Sequence, residues 1–128
     1  MPLAEISLLR GKSPDYIRAI ADAVYQALIE AYNAPVGDRF QTIRQFEPGE
    51  LIYDPDYLGI HRTDDVVFIR ITAGKWRDTD TKKKFYKHLT DLLVAKPGMR
   101  PEDVVIVMSP TDRDDWSFGN GRVQYVDP

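Results

Sequence analysis

The sequence contains no cysteine and no long apolar run. Without cysteine there are no disulfide bonds, no thiolate metal ligands and no cysteine nucleophile, and this composition fits a reducing compartment. A membrane-spanning helix needs roughly 20 apolar residues in succession, and no stretch approaches that length. The start, Met-Pro-Leu-Ala-Glu, also lacks the basic and apolar segments of a signal peptide. We therefore expect no membrane partner and a cytoplasmic location.

An excess of positive charge is missing as well. Lysine and arginine total 17 against 20 aspartates and glutamates, which gives a net charge of −3. Nucleic-acid-binding surfaces are normally basic, so nucleic acid is not an expected partner. The two histidines, His61 and His88, lie far apart in sequence and predict no metal site. We expect neither a metal nor a cofactor, and the remaining partners are a small molecule and other protein subunits.

The first part of the chain has the pattern of a β-α-β unit. Apolar residues in near alternation predict a strand from Leu3 to Leu9. Ser13 is a good helix N-cap and is followed by a proline, and an apolar stripe at helical spacing predicts a helix from Pro14 to about Tyr32. Strand-like alternation resumes at Phe40–Phe46. A helix with one apolar stripe must pack on the sheet that these strands form.

The second part repeats this layout after a turn-rich connection. In that connection, Leu51-Ile52-Tyr53 could form a short hairpin strand. Val66 to Thr72 is an apolar, β-branched run, Asp78 is a candidate N-cap, and Val104 to Met108 is again strand-like. The helical stripe between them consists of Phe85, Leu89, Leu92 and Leu93. The second part is therefore predicted to be β-α-β too.

A shift of 65 residues, without a gap, superimposes the two parts. It aligns Ser13 with Asp78, Ile20 with Phe85, Val24 with Leu89, Leu28 with Leu93, Asp38 with Asp103, and Pro2 with Val67. The same offset aligns the helix cap, the apolar stripe of the helix and the acidic residue before the last strand of each half. This agreement indicates an internal duplication. We expect a single domain over residues 1–128, with halves at about 2–47 and 66–109 and a tail at 110–128.

Two joined right-handed β-α-β units give an α/β (α+β) fold: a four-stranded sheet with both helices on one face. The other face of the sheet then needs cover. A small chain with apolar residues on an uncovered sheet face commonly packs on copies of itself, so a homo-oligomer is expected.

The unusual chemical group is the chain end at Pro2. A proline in second position is small enough that Met1 is normally removed, which leaves a secondary amine. A free α-amino group has a pKa of about 8 in model compounds, and burial or cationic neighbours lower it, so it can serve as acid, base or nucleophile near neutral pH. The alternative is that Pro2 is only a processed terminus.

The tail carries a distinctive run from Asp114 to Arg122, which reads Asp-Asp-Trp-Ser-Phe-Gly-Asn-Gly-Arg. Together with Pro2, with Asp38-Arg39-Phe40 before the second strand, and with the duplicated layout, it resembles the malonate semialdehyde decarboxylase branch of the tautomerase superfamily. The resemblance covers nearly the whole chain. It implies a β-α-β fold that assembles as a homotrimer.

The resemblance also implies site residues. The N-terminal proline of the family is Pro2, its aspartate is Asp38, and the arginine before the second helix is best matched by Arg77. Where the branch usually has more than one arginine, this chain has Lys75-Trp76-Arg77 and an extra residue. Lys75 could replace the second arginine as a carboxylate ligand, but lysine lacks the bidentate fork. Each of these residues could instead have an ordinary structural role, Asp38 as a turn cap and Arg77 as a solvated cation.

The two tail aromatics have two equally open interpretations. Trp116 and Phe118 could form an apolar wall around a small substrate, or they could pack at a subunit boundary. For Trp76 we expect packing.

The implied reaction is decarboxylation of malonate semialdehyde or a similar 3-oxo acid, with Pro2 as acid/base and possible tautomerase or hydratase side activity. One alternative is keto-enol tautomerisation of 2-oxo acids, which needs the same anion clamp beside a proton donor. Another is a non-catalytic oligomeric module that binds a small carboxylate, since duplicated β-α-β sheets also serve as ligand-binding domains.

Overall fold

A computed structural model of the chain describes residues 2–128 and contains a four-stranded mixed sheet with two long helices. In chain order the elements are β1 (Leu3–Leu9), α1 (Pro14–Ala31), β2 (Phe40–Phe46), β3 (Val67–Gly74), α2 (Thr79–Ala95) and β4 (Val104–Thr111). Short 3-10 turns lie at Tyr57–Gly59, Pro101–Asp103 and Arg113–Asp115. The predicted duplicated β-α-β fold is confirmed.

The strand order β2-β1-β3-β4 determines which loops meet. β1 runs parallel to β2, β3 runs parallel to β4, and the two central strands β1 and β3 are antiparallel. Leu3 is therefore level with Phe40 on one side and with Thr72 on the other, while Gly74 is level with Thr111. The starts of β1 and β2 and the ends of β3 and β4 form one edge of the sheet, which we name the Pro2 end. The opposite edge, where β3 and β4 begin, is the Asp103 end.

Both helices cover the same face of the sheet, and the core repeats with the predicted offset of 65 residues. The buried pairs are Ala4 and Ile69, Ile6 and Ile71, Leu8 and Ala73, Ile20 and Phe85, Val24 and Leu89, and Leu28 and Leu93. Burial of each large apolar side chain in this set contributes about 1.5–3 kcal/mol.

The helix caps repeat as well. The side chain of Ser13 accepts a hydrogen bond from the Tyr16 amide, and the side chain of Asp78 accepts one from the Thr81 amide. Each cap satisfies an amide that has no partner within its helix, so both helices begin where the sequence predicts.

The second face of the sheet is open. A groove on this face is lined by Glu5, Ser7, Phe68, Arg70, Val105 and Val107. Val107 remains 46% exposed although it lies on a strand with apolar neighbours. This face combines apolar and charged side chains, and within residues 2–128 no helix or second sheet covers it.

The connection between β2 and β3 contains no strand within the described residues, so the prediction of a short strand at Leu51–Tyr53 is wrong. Its backbone carbonyls accept hydrogen bonds from amides within the connection and from one side chain. Arg62 donates hydrogen bonds of 3.2–3.3 Å to the carbonyl oxygens of Asp54, Tyr57 and Ile60. A guanidinium with several donors can stabilise an irregular loop in this way.

Among the described helices, neither α1 nor α2 combines the length and the hydropathy that a membrane crossing requires.

Candidate active site

The sheet topology gathers three of the predicted site residues at the Pro2 end. Pro2 is buried and directly precedes β1, Asp38 precedes β2, and Arg77 follows β3. The removal of Met1, which the sequence predicts, concerns a residue outside those that the structure describes. The Pro2 end is thus where the start of the described chain meets the loop before β2 and the loop after β3.

The loop that carries Asp38 is fastened to α1. The Gly37 amide donates to the Tyr25 hydroxyl over 2.8 Å, and Arg39 Nη2 donates to the Asp22 carboxylate over 2.7 Å. The guanidinium of Arg39 also lies 4.7 Å from the centre of the Tyr25 ring. Asp38 is half-buried between these two anchored neighbours. The contacts of Gly37 and Arg39 with α1 therefore hold the backbone that positions this carboxylate at the sheet edge.

Arg77 is a buried cation, only 8% exposed. Its Nε donates to the Tyr32 carbonyl oxygen over 3.1 Å, and its guanidinium carbon lies 4.6 Å from the centre of the Tyr32 ring. Nη1 is buried and has no hydrogen-bond partner among residues 2–128, where no carboxylate forms an ion pair with this arginine. Burial lowers the pKa of Arg77 below its usual value. A buried cation without a counter-charge is costly, and an anionic ligand would relieve that cost.

Lys75 already has a carboxylate partner. Its Nζ lies 2.6 Å from Asp112 Oδ1, and this contact raises the pKa of the lysine. The Lys75 amide also donates to the Thr111 carbonyl oxygen over 3.0 Å. The side chain is 65% exposed. In this arrangement Lys75 links the β3–α2 loop to the tail, and it would have to exchange Asp112 for a substrate carboxylate in order to bind one.

The tail aromatics lie across the Pro2 end. Trp116 Nε1 donates to Thr111 Oγ1 over 2.8 Å, at the end of β4. The Trp116 and Phe118 rings stack with their centres 5.4 Å apart and their planes within 5°. Phe118 in turn contacts Phe40, at the start of β2, with ring centres 5.8 Å apart. An aromatic wall therefore extends from the end of β4 to the start of β2.

Trp76 lies flat against the backbone of β3. A Cβ atom on Gly74 would be 2.0 Å from the Trp76 ring, so only glycine permits this approach. The guanidinium carbons of Arg77 and Arg113 lie 5.0 and 5.3 Å from the centre of the indole. Trp76 thus supports the loop that bears Arg77, although its side chain is 48% exposed. Its packing at a subunit boundary stays a prediction.

Sequence reasoning missed Tyr125. Its ring meets Phe118 edge to face, with centres 5.2 Å apart. The Phe118 amide donates to Gln124 Oε1, and Gln124 Nε2 donates to the Gly119 carbonyl oxygen, both over 3.0 Å. These bonds fold the last residues back onto the aromatic wall. Tyr125 lies outside the two repeated halves, and no periodic pattern surrounds it. Only its position shortly after the aromatic motif of the tail could have marked it as a site residue.

Three exposed carboxylates, those of Asp112, Asp114 and Asp115, can approach within 4.8 Å of one another. Asp112 is paired with Lys75, and Asp115 accepts a 2.7 Å hydrogen bond from the Asp112 amide. Their contacts are those of a capped turn, which accounts for the cluster without a bound ion.

Comparison with known proteins identifies relatives along the whole chain. Two family models described as tautomerase enzymes match residues 38–119 and 2–60. The probable tautomerase YusQ of Bacillus subtilis (strain 168) is 39% identical over 127 residues, which is 99% of this chain and 100% of that protein. A structure of malonate semialdehyde decarboxylase, studied in wild-type, mutant and inactivated forms, has a TM-score of 0.92 at 33% identity, covering 97% of this chain and 95% of the other. FG41 malonate semialdehyde decarboxylase inhibited by 3-bromopropiolate has a TM-score of 0.91 at 37% identity, covering 97% and 94%.

Proposed function

The chain belongs to the tautomerase family, and we propose that it is a small oxo-acid enzyme in which the amine of Pro2 is the reacting group. The preferred reaction is decarboxylation of malonate semialdehyde or a similar 3-oxo acid. Similarity to two malonate semialdehyde decarboxylases over nearly the full chain supports this choice.

The observation that carries the proposal is the buried guanidinium of Arg77 at the same sheet edge as Pro2. Its Nη1 has no partner among the described residues, and no protein carboxylate within residues 2–128 neutralises its charge. A substrate carboxylate would supply both the hydrogen-bond acceptor and the counter-charge. The proposed substrate is therefore a small carboxylate whose second functional group reaches Pro2.

In the proposed reaction, protonated Pro2 donates a hydrogen bond to the carbonyl oxygen of the 3-oxo acid while Arg77 holds the carboxylate. The bond between the carboxylate carbon and its neighbour breaks, carbon dioxide leaves, and the electron pair passes into an enolate. The ammonium of Pro2 stabilises the enolate oxygen. A proton then returns to carbon, so that malonate semialdehyde and one proton give acetaldehyde and carbon dioxide.

The other predicted residues have supporting roles in this proposal. Asp38 orients or charge-balances Pro2 from the anchored loop before β2. Trp116 and Phe118 exclude water from the reacting atoms, which strengthens the electrostatic interactions within the site. Lys75 contributes to carboxylate binding only if it exchanges its present partner, Asp112.

A second candidate is keto-enol tautomerisation of a 2-oxo acid, with hydration of an unsaturated acid as a side activity. With Pro2 neutral, the same amine would shuttle a proton between carbon and oxygen. Similarity to YusQ, a probable tautomerase, supports this candidate.

We also propose a homotrimer in the cytoplasm. The support for oligomerisation is the open sheet face, whose groove combines apolar residues such as Phe68 and Val107 with the charged side chains of Glu5 and Arg70. A face of this kind is suited to packing on other copies of the chain.

Turnover assays distinguish these reactions. Intact mass spectrometry first selects protein that lacks Met1, which is then incubated with malonate semialdehyde and, separately, with phenylenolpyruvate. Release of acetaldehyde is expected from malonate semialdehyde, and its rate should fall about 100-fold in Arg77→Gln. Ketonisation of phenylenolpyruvate without decarboxylation would favour the tautomerase, while carboxylate binding without any turnover would favour the non-catalytic module.

A further inference from the structure

The carboxyl-terminal end of α1 lies against Arg77. Tyr32 is the C-cap of this helix, and its carbonyl oxygen accepts the 3.1 Å hydrogen bond from Arg77 Nε. The last carbonyls of a helix have no amide partner within the helix, and they carry a partial negative charge that favours a nearby cation. The last turn of α1 has no basic residue of its own. Arg77 therefore supplies, from the loop before α2, the cation that this helix end lacks.

The backbone fixes the position of this helix end. Asn33 adopts a φ of 58°, in the left-handed region, and the Ala34 amide donates to the Leu28 carbonyl oxygen over 3.0 Å. The Tyr32 amide donates to the same oxygen over 3.1 Å. Helices commonly end with such a left-handed residue and a returning amide. The carbonyl that binds Arg77 is thus held in place by the helix.

The aromatic ring of Tyr32 contacts the same guanidinium. Its centre lies 4.6 Å from the guanidinium carbon, and the residue is only 2% exposed. The ring also packs on Phe85, with ring centres 5.2 Å apart, so it belongs to the core. A cation over an aromatic face is stabilised most where water is excluded. One residue therefore gives Arg77 both a hydrogen-bond acceptor and a cation–π contact.

We propose that Tyr32 is a positioning residue, which orients Arg77 for the substrate carboxylate without touching the substrate itself. This inference rests on the proposed function, because it assumes that Arg77 binds a carboxylate. The carbonyl holds Nε and the ring holds the guanidinium plane, while the unsatisfied Nη1 is left for the ligand. A guanidinium that is oriented in advance loses less side-chain entropy when it binds.

Three variants separate this role from a contribution to the core. Tyr32→Leu removes the ring but keeps the carbonyl acceptor and an apolar side chain. Tyr32→Phe keeps the ring and should restore the behaviour of the wild type. Leu89→Ala is the control for loss of stability, because Leu89 is fully buried in the same core but lies about 15 Å along α2 from Thr79, where that helix begins.

Calorimetry with malonate, a stable dicarboxylate probe, and steady-state kinetics with malonate semialdehyde are measured on wild type and the three variants. Tyr32→Leu should weaken malonate binding and raise KM about ten-fold, with kcat within three-fold, because the guanidinium must then be ordered when the ligand binds. Tyr32→Phe should match wild type. Leu89→Ala should bind malonate within two-fold of wild type, although its urea midpoint should fall at least as far as that of Tyr32→Leu.

A double variant tests whether Tyr32 acts through the arginine. Once Arg77→Gln has removed the guanidinium, adding Tyr32→Leu should leave kcat/KM within two-fold of Arg77→Gln alone, because the two effects are not independent. A further ten-fold loss would show that Tyr32 acts by another route and would overturn its positioning role.

Should Tyr32→Leu fail to fold, pentafluorophenylalanine at position 32 replaces it in the test. Fluorination keeps the shape of the ring but makes its face electron-poor, so the face no longer attracts a cation. Malonate binding weaker than in Tyr32→Phe is then expected, and equal binding would overturn the positioning role.

Equal malonate affinity in wild type and Tyr32→Leu, or equal losses in Tyr32→Leu and Leu89→Ala, would overturn the role of Tyr32 and leave the proposed function intact. If wild type binds malonate but turns over neither substrate, the proposed function fails, and the calorimetric differences alone support or overturn the role of Tyr32. Absence of malonate binding by wild type would contradict a carboxylate site at Arg77, and the positioning role with it.

Discussion

The two ends of the sheet are built from the same duplicated framework but differ in how their polar groups are satisfied. At the Asp103 end, Asp103 is fully buried and accepts hydrogen bonds from the amide and hydroxyl of Thr63, both over 2.7 Å. Arg100 Nη1 lies 3.5 Å from the same carboxylate. At the Pro2 end, the equivalent residue Asp38 is only half-buried. One aspartate fastens a loop, and its counterpart lies at the candidate active site.

The two ends also differ in whether a cation has a carboxylate partner within the chain. The 65-residue offset aligns Lys12 with Arg77. Lys12 forms an ion pair with Asp65 and lies over the Tyr16 ring, whereas Arg77 has no carboxylate partner among residues 2–128. Where the protein pairs a cation internally, the result is a structural contact. Where it leaves a buried cation without a carboxylate partner, an anionic ligand can supply the counter-charge.

The largest expected effect contrasts these two cations. Arg77→Met should reduce turnover of malonate semialdehyde about 100-fold, because the substrate loses its counter-charge. Its free energy of unfolding should stay the same or rise, since an unpaired buried cation is replaced by an apolar side chain. Lys12→Met should leave turnover within two-fold. Turnover assays and urea unfolding of both variants test this difference. Equal losses of turnover in the two variants would contradict it.

The next effect contrasts the two aspartates. Asp103→Ala should lower the free energy of unfolding by about 2 kcal/mol, because the Thr63 amide and hydroxyl lose their acceptor in a buried site. Asp38→Ala should lower turnover more than stability. Urea unfolding and kinetics measured on both variants provide the test. A larger stability loss for Asp38→Ala than for Asp103→Ala would contradict the assignment of roles.

The smallest expected effect concerns Lys75. If its main contact is the exposed pair with Asp112, Lys75→Gln should change KM less than about three-fold, because exposed ion pairs contribute little. An increase in KM of about ten-fold or more would instead indicate that Lys75 leaves Asp112 and binds the substrate. Asp112→Asn is the matched variant, since it breaks the same pair without removing the lysine.

Much of the fold could be predicted because its determinants are local. Strands β1 and β2 begin and end where the alternation of apolar residues does, and the caps Ser13 and Asp78 mark both helix starts. Pro2 could be singled out because a proline in second position is visible in the sequence, and Arg77 because the family resemblance implies an arginine before the second helix.

The rest of the site depends on long-range contacts that no local pattern encodes. The pairing of Lys75 with Asp112 follows from the register of β3 and β4, which brings Gly74 level with Thr111. The position of Tyr125 depends on how an irregular tail folds back onto Phe118. The pair of Lys75 and Asp112 has a counterpart in the repeat, because the 65-residue offset aligns it with the ion pair of Arg10 and Glu47. The contact of Tyr125 has none, because the tail lies outside the two repeated halves.

The central claim is that a free amine at Pro2 performs the reaction, and blocking that amine tests it most directly. A glutamate inserted between Met1 and Pro2 should prevent removal of Met1 and keep Pro2 as an amide, which intact mass spectrometry verifies. We predict that this variant still binds malonate but loses at least about 100-fold in turnover relative to protein that begins at Pro2. Turnover within two-fold of that protein would contradict the claim.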